Sequence, residues 1–513
     1  MRNTASNLYE ALCPASAPPE RIALRCHDGR TFDHAGIEAL SARLASRIAA
    51  LGVTPGERVA VQVEKSAEAL ILYLACLRAG AVYLPLNSGY TRAELDYFLQ
   101  DARPRLFVVA PQDDAALRDL ADAAGATLRT LGADGASGSL LTGIADQPAR
   151  FATVARQRDD LAAILYTSGT TGRPKGAMLS HGNLFSNADT LARAWRFTPD
   201  DVLLHALPIY HTHGLFVATN VSLLAGASMH LLPKFDVDEI VRALPQATVM
   251  MGVPTFYTRL LADPRLSREM TAGMRLFISG SAPLLAQTHQ LWEARTGHRI
   301  LERYGMTETN MNSSNPYDGE RRAGTVGQPL PGVEMRIVEP ESGQPLAPGA
   351  IGMIEVRGPN VFQGYWGKPD QTAQAFRPDG YFITGDLGRM DEERYVEIVG
   401  RGKDLIISGG LNIYPKEVEQ LLDAVDGVVE SAIIGLPHPD LGEAVTAVVV
   451  ATRPPSADFE QAILAALRAR LAGFKLPKHI LFADDLPRNA MGKVQKNLLR
   501  ETHMGLYDSS RHD

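Results

Sequence analysis

Cysteine is nearly absent from this sequence, with only Cys13, Cys26 and Cys76 in 513 residues. An odd count without metal-type spacing argues against a disulfide framework or a zinc site. It favours a reducing cytoplasm in which the thiols are small buried residues. Long apolar runs are missing too. The longest in the early chain, Ala69–Leu77, is bracketed by Glu68 and Arg78, and falls well short of the roughly 20 residues that cross a bilayer; it predicts a buried helix. The first residues, Met1-Arg-Asn-Thr-Ala-Ser6, lack the apolar segment of an export signal. Positive charge is not in excess: 51 Lys plus Arg against 58 Asp plus Glu leave a net charge of -7, so nothing electrostatic points to nucleic acid or an anionic membrane. Repeats, heptads and low-complexity tracts are lacking, and the small-residue stretch 132–138 reads as a surface loop.

What is there is ordinary globular material, 45% hydrophobic and 21% charged, long enough for about three folding units at roughly 150 residues each. From Arg58 the chain alternates β-branched runs with helical stretches. Strands are expected at 81–86, 106–110, 162–166, 202–207, 227–232, 248–252 and 276–279, with helices at 67–78 and 92–99. Such alternation predicts an α/β fold with doubly wound parallel sheets. After Gly327, repeated Pro-Gly punctuation and short alternating strands predict a β-rich subdomain over about 327–400. A small α+β domain follows. Its helix opens at Pro415, where Glu417 and Glu419 favour the positive end; strands are expected at 431–434, 444–450 and 479–482, and a helix at 458–471. The expected division is a large domain over 1–402 and a small one over 403–513.

The strongest local signal is Tyr166-Thr-Ser-Gly-Thr-Thr-Gly-Arg-Pro-Lys-Gly176, an apolar strand running into hydroxyls, glycines and one lysine. Gly169 and Gly172 let backbone N–H groups turn toward one point. Thr167, Ser168, Thr170 and Thr171 add neutral donors, and Lys175 adds charge, which together suit a phosphate. It is not a Walker loop, because Lys175 follows Pro174 and precedes Gly176 instead of Ser or Thr.

With Tyr304-Gly-Met-Thr-Glu308, Thr384-Gly-Asp386, Gly400-Arg401 and Pro487 through Gly492-Lys493, this loop resembles the adenylate-forming superfamily of acyl-CoA synthetases, luciferases and peptide-synthetase adenylation domains. Five motifs in order span most of the chain. The resemblance implies an ATP-dependent acid:thiol ligase with its site between two domains. A carboxylate attacking the α-phosphorus of ATP meets a strongly negative triphosphate, so positioning and charge neutralisation must carry catalysis. Glu308 suits Mg²⁺ bridging the phosphates. The resemblance assigns Asp386 and Arg401 to the ribose, and Ser281, Ala282, Glu302, Tyr304 and Thr307 to segments around the nucleotide. Lys493, on a glycine-bearing loop, places positive charge between the attacking carboxylate and the α-phosphate. The family further implies a small domain that swings about Lys403, so that Gly409 and Gly410 face the thiol path of coenzyme A. It also implies possible acetylation of Lys493 by a lysine acetyltransferase and its reversal by a deacetylase.

The acid is set by the pocket and not by the fold. Leu207-Pro-Ile-Tyr-His-Thr-His-Gly-Leu215, Val253-Pro-Thr-Phe-Tyr-Thr-Arg259, Arg275 through Pro283 and Glu302 through Asn310 resemble bacterial malonyl-CoA synthetases. That likeness implies that Arg259 and Ser281 bind the distal carboxylate of malonate, that Thr212 and Met306 crowd its methylene, and that His211 lies beside the reacting group. On spacing alone, Arg259 fits a solvated helix face equally well. A hydrogen bond to a charged group contributes roughly 1.5 to 3 kcal/mol, a preference over a monocarboxylate of about 10- to 200-fold. The alternatives are a ligase for methylmalonate or a short monocarboxylate, an adenylation module serving a separate carrier, and a non-catalytic nucleotide or acyl-adenylate sensor.

Overall fold

The computed structural model describes residues 7–14, 17–167, 174–408, 411–489 and 492–507. Two large sheets form the body. The six-stranded sheet runs in the order Thr127–Thr130, Leu106–Val109, Arg58–Gln62, Val82–Pro85, Leu161–Thr167 and Lys175–Ser180, parallel except for its last pair. The nine-stranded sheet has a parallel centre, from Leu301–Met306 through Leu276–Ser279, Val249–Gly252, Val202–His205 and Ser228–Leu231 to Ile22–Cys26. Antiparallel pairs close both of its ends. Helix Ala67–Arg78 is buried along its whole length, as an apolar stretch without a polar face must be. Ser66 caps its first turn by accepting from the Ala69 amide.

The β-rich part is a four-stranded antiparallel sheet of Glu334–Val338, Gly352–Arg357, Phe382–Met390 and Val396–Arg401. Its last two strands set Asp386 directly opposite Arg401. The chain then passes through a short 3₁₀ turn, Gly402–Asp404, into a five-stranded sheet with its own two cores. One lies under the helices Pro415–Leu422 and Ala457–Arg468, the other under Lys496–His503.

Strands predicted at 276–279 and 479–482, and helix 67–78, have those bounds. The strand predicted at 431–434 is longer, Val428–His438. Gly435 and Pro437 look like terminators in sequence, but this strand lies at the sheet edge, where a proline sacrifices no ladder bond. The stretch 132–138 is not all surface either. Gly135 (φ +65) covers Glu68 so closely that a Cβ would stand 1.8 Å from Glu68 Oε2. Among the described residues no helix is long and apolar enough to cross a membrane, and all three cysteines are free thiols, two buried and Cys13 half-buried.

Candidate active site

The phosphate-loop motif closes a hairpin. Strand Leu161–Thr167 pairs antiparallel with Lys175–Ser180, and Thr167 faces Lys175 across it. Ser168, Gly169, Thr170, Thr171 and Gly172 lie outside the described residues, as do Gly409 and Gly410. The hairpin is anchored from helix Arg92–Ala102. Tyr97 OH donates to Pro174 O at 2.8 Å, Tyr166 OH donates to Asp101 Oδ2 at 2.6 Å, and the indole of Trp366 donates to Asp101 O at 3.2 Å. Gly176 must be glycine here, because a Cβ would lie 2.8 Å from Ile164 and 3.4 Å from Trp366.

Lys175, Thr167 and Glu308 converge on Tyr365, a residue absent from the sequence reading. The Lys175 ammonium stands 4.9 Å from the centre of its ring. Glu308 Oε1 accepts from Tyr365 OH at 3.1 Å and from Thr167 Oγ1 at 3.4 Å. Burial raises the Glu308 carboxyl above its usual range, partly opposed by these hydrogen bonds and by Arg401. Such a group gains from a cation. A carboxylate has about four acceptor positions, so these hydrogen bonds leave capacity for a hard cation such as Mg²⁺. No cluster of three His, Cys, Asp or Glu side chains among the described residues could hold an ion unaided, so the remaining ligands must come from phosphate and water.

Asp386 is almost fully buried, yet both its oxygens are engaged. Tyr304 OH donates to Oδ2 at 2.6 Å and Arg401 Nε lies 2.7 Å from Oδ1. A carboxylate has about four acceptor positions, so two remain for vicinal hydroxyls. Thr384 Oγ1 donates to Ile354 O at 2.8 Å and accepts from the Asp386 amide at 3.0 Å, which fixes the turn. Glu302 is directed elsewhere, with its carboxylate 3.8 Å from His289 Nδ1. Thr307 is half-buried in the turn before Glu308, and Ala282 is half-buried beside Ser281.

Lys493 belongs to a tight turn. Its amide donates to Asn489 Oδ1 at 3.0 Å, and Gly492 (φ +74) stands so near the large body that a Cβ would be 3.2 Å from Thr255 Oγ1. Crowding in this cleft, then repulsion from Arg401, lowers the ammonium to about 8, while Asp386 and Asp404 oppose the shift. The side chain still meets water, which partly screens those charges. Lys403 is exposed in the turn joining the two regions, and the adjacent Asp404 accepts from Arg500 at 2.9 Å.

On the acyl side, helix Pro254–Ala262 starts with Pro254 in its first turn. Its Arg259 is exposed, with the guanidinium 5.9 Å from the centre of the Phe235 ring, on the solvated face that spacing equally allowed. Ser281 adopts φ +72, uncommon for a residue other than glycine. Its hydroxyl lies 3.2 Å from His213 Nδ1. His213 opens a π-helical segment, His213–Thr219, a distortion frequent at functional sites. A buried lysine braces that segment: Lys65 Nζ donates to His205 Nδ1 at 2.9 Å, so His205 Nε2 carries the proton and donates to Gly214 O at 3.0 Å. His211 Nδ1 accepts from the His213 amide at 3.2 Å, and burial with Arg303 nearby lowers its pKa to about 4; it is neutral at physiological pH. Thr212 is buried, its hydroxyl without a partner among the described residues, and Met306 is half-buried. Arg303 is buried beside these histidines; it falls within the stretch Glu302 through Asn310, but the sequence reading gives it no role.

Residues 14–366 match the family profile described as AMP-binding enzyme, and residues 417–493 match the AMP-binding enzyme C-terminal domain. The chain belongs to the AMP-binding enzyme family. Within that family it is 35% identical to the malonate–CoA ligase of Arabidopsis thaliana over 538 residues, covering 96% of this chain and 88% of the relative. It is 37% identical to a feruloyl-CoA synthase from Amycolatopsis, covering 95% and 96%. The ATP-bound crystal structure of MatB from Rhodopseudomonas palustris is 59% identical, covers 98% of this chain and 100% of that one, and superposes with a TM-score of 0.96. The nucleotide-free form of the same relative superposes at 0.85. The present arrangement is therefore nearer that of the ATP-bound AMP-binding enzyme, which agrees with Lys493 lying in the electrostatic reach of Asp386 and Arg401.

Proposed function

We propose that the chain is a malonyl-CoA synthetase, which converts ATP, malonate and coenzyme A to malonyl-CoA, AMP and diphosphate through a malonyl adenylate. One observation carries the choice of acid: the acyl side is walled by polar and cationic groups, with Ser281 held on His213 at 3.2 Å in front of the buried Arg303. An apolar acyl chain would leave these groups desolvated and unpaired. The relative named malonate–CoA ligase and the high identity to MatB support the reading. Identity alone does not choose the acid, since a feruloyl-CoA synthase is as similar as the malonate ligase.

In the first half-reaction a malonate oxygen attacks the α-phosphorus and the bond to diphosphate breaks. Thr167, Lys175 and the loop 168–172 hold the terminal phosphates, and Glu308 would hold Mg²⁺, which when bound neutralises phosphate charge. Asp386, paired with Arg401, orients the ribose, and Ser281, Ala282, Tyr304, Thr307 and the backbone at Glu302 border the nucleotide. Lys493 offsets the charge that builds between the two reactants. His211, neutral, donates or accepts a hydrogen bond without repelling either. In the second half-reaction the small domain turns about Lys403, the thiol sulfur attacks the acyl carbon past Gly409 and Gly410, and AMP leaves. Arg259 guides the second carboxylate at the pocket mouth, while Thr212 and Met306 limit branching. We place the enzyme in the cytoplasm, where its free thiols persist, with Lys493 a target for acetylation, which would cancel its charge.

Diphosphate release measured across malonate, methylmalonate, succinate, acetate and butyrate tests the assignment. Malonate is expected to lead, and a monocarboxylate in first place would refute it. Arg259→Ala should lower malonate kcat/KM and leave the KM for ATP unchanged; an unaltered malonate kcat/KM would remove Arg259 from recognition.

A further inference from the structure

Lys65 stands between strand Arg58–Gln62 and helix Ala67–Arg78, one position before Ser66, which caps that helix. It is 7% exposed, and among the described residues no carboxylate pairs with it. Its Nζ lies 2.8 Å from His205 O, 2.8 Å from Leu207 O and 2.9 Å from His205 Nδ1. His205 Nε2 in turn lies 3.0 Å from Gly214 O, which also accepts from Thr219 Oγ1 at 3.0 Å. A carbonyl oxygen only accepts, so Nε2 carries the ring proton, Nδ1 is bare, and Lys65 donates all three of its protons. Burial, then Lys65 itself, lowers His205 well below its usual range, which excludes an imidazolium. Lys65 is therefore an ammonium, even though burial lowers it and the helix that follows presents its positive end.

A buried cation without an anion opposes folding, and an apolar side chain of similar volume would fill the same space at lower cost. What the ammonium adds is a three-way fastening across the two large sheets. Strand Arg58–Gln62 belongs to the six-stranded sheet and Val202–His205 to the nine-stranded one. Segment 206–213 leaves that second sheet at His205 and returns at Gly214, where a Cβ would stand 2.0 Å from Pro208 O. Lys65 grips the departing backbone at two carbonyls and the returning backbone through the imidazole. Between those points lie His211, Thr212 and His213, the last 3.2 Å from the Ser281 hydroxyl. Hydrogen bonds radiating from one nitrogen fix a position more sharply than apolar packing does. We propose that Lys65 and His205 act as one positioning unit, which sets the acyl wall formed by His211, Thr212 and His213 and so governs the fit of the acid without touching it. The inference rests on the acyl side as assigned above, and not on which acid binds there.

The test compares Lys65→Met, His205→Leu, His205→Gln and the double variant Lys65→Met/His205→Leu with the wild-type full chain, in acid-dependent ATP–diphosphate exchange with malonate. Each single apolar variant should lower malonate kcat/KM roughly 10- to 100-fold, as a misplacement of about 1 Å does, with the KM for ATP within about twofold of wild type. Because the two residues act as a unit, the double variant should lose no more than the worse single one. His205→Gln, whose amide can accept from Lys65 and donate to Gly214 O, should recover most of the loss, and serves if the apolar variants do not fold. Losses that multiply in the double variant, a Gln variant no better than the Leu variant, equal changes in both KM values, or an unaltered malonate kcat/KM would overturn the positioning role. Thr212→Val leaves the fastening intact and reads the underlying assignment. An unchanged malonate KM in that variant would show that the segment does not face the acid, and would overturn the acyl-side reading together with this inference. Wild-type exchange faster with propionate than with malonate would overturn the malonate reading alone, and the same ratios are then read on propionate.

Discussion

Lys493→Met separates the two half-reactions. The lysine's turn is held by the Asn489 side chain and seated against Thr255, so removing the ammonium while keeping an apolar stem should leave the loop in place. The loss is that of one preorganised cation at a site of developing negative charge, roughly 10²- to 10³-fold in rate. Acid-dependent ATP–diphosphate exchange should fall by that amount. Thioester formation from supplied malonyl-AMP should change less than about threefold, since the proposed turn of the small domain about Lys403 removes Lys493 from that step. The pH profile gives a second reading. With the ammonium lowered to about 8, the charged form predominates below that pH and declines about tenfold per unit above it. Wild-type exchange should therefore drop between pH 8 and 9.5, while Lys493→Met should lack that limb. Equal losses in both half-reactions, or a variant that keeps the alkaline limb, would refute the division of labour.

Two further perturbations probe the frame around the site. Asp386→Asn removes the charge that pairs with Arg401 at 2.7 Å and half of the acceptor capacity on which Tyr304 also draws, so ATP affinity should drop about tenfold or more with a lower Tm; titration calorimetry giving an unchanged Kd would exclude Asp386 from the nucleotide site. In the small domain, burial and the neighbouring Glu419 and Glu430 raise Asp423 to about 7, opposed by the Ser431 hydrogen bond. A carboxyl whose folded pKa lies above its unfolded value stabilises the fold through its bound proton at low pH and loses that contribution as pH climbs through the folded value. Asp423→Asn, which can still accept from Ser431 Oγ, should raise Tm relative to wild type at pH 8 and show a smaller gain at pH 5; a gain independent of pH would show that titration of Asp423 is not its source.

Much of the proposed nucleotide half of the site is legible in the chain because each of its parts is local. A loop that holds phosphate needs its glycines, hydroxyls and lysine consecutively, and Thr384-Gly-Asp386 is a turn complete within three residues. Their mutual positions were less legible. Arg401 meets Asp386 through the register of two strands, a relation fixed by the hairpin geometry of Phe382–Met390 and Val396–Arg401. Tyr365, the hub between Lys175 and Glu308, lies 57 positions from its carboxylate partner, inside a glycine-flanked aromatic pair with no distinctive spacing. The overlong edge strand Val428–His438 is similar: only knowing that it is an edge makes its proline harmless.

The acyl half was harder to read for a physical reason. Sequence reasoning weighs a charged residue by its element, and on a short helix Arg259 looks able to face either way, whereas Arg303 stands between Glu302 and Tyr304, which the resemblance places around the nucleotide, and draws no role of its own. Burial separates the two. Arg259 retains water and stands over the Phe235 ring, so its pairing with an anion is partly screened. Arg303 has lost its water, has no carboxylate within reach among the described residues, and faces Gly280, the one residue type that lets the guanidinium approach Ser281. On the malonate reading, the substrate brings negative charge to a place where the described residues supply none. A second carboxylate, one methylene from the group that reacts, meets that condition; a methyl group in its place does not.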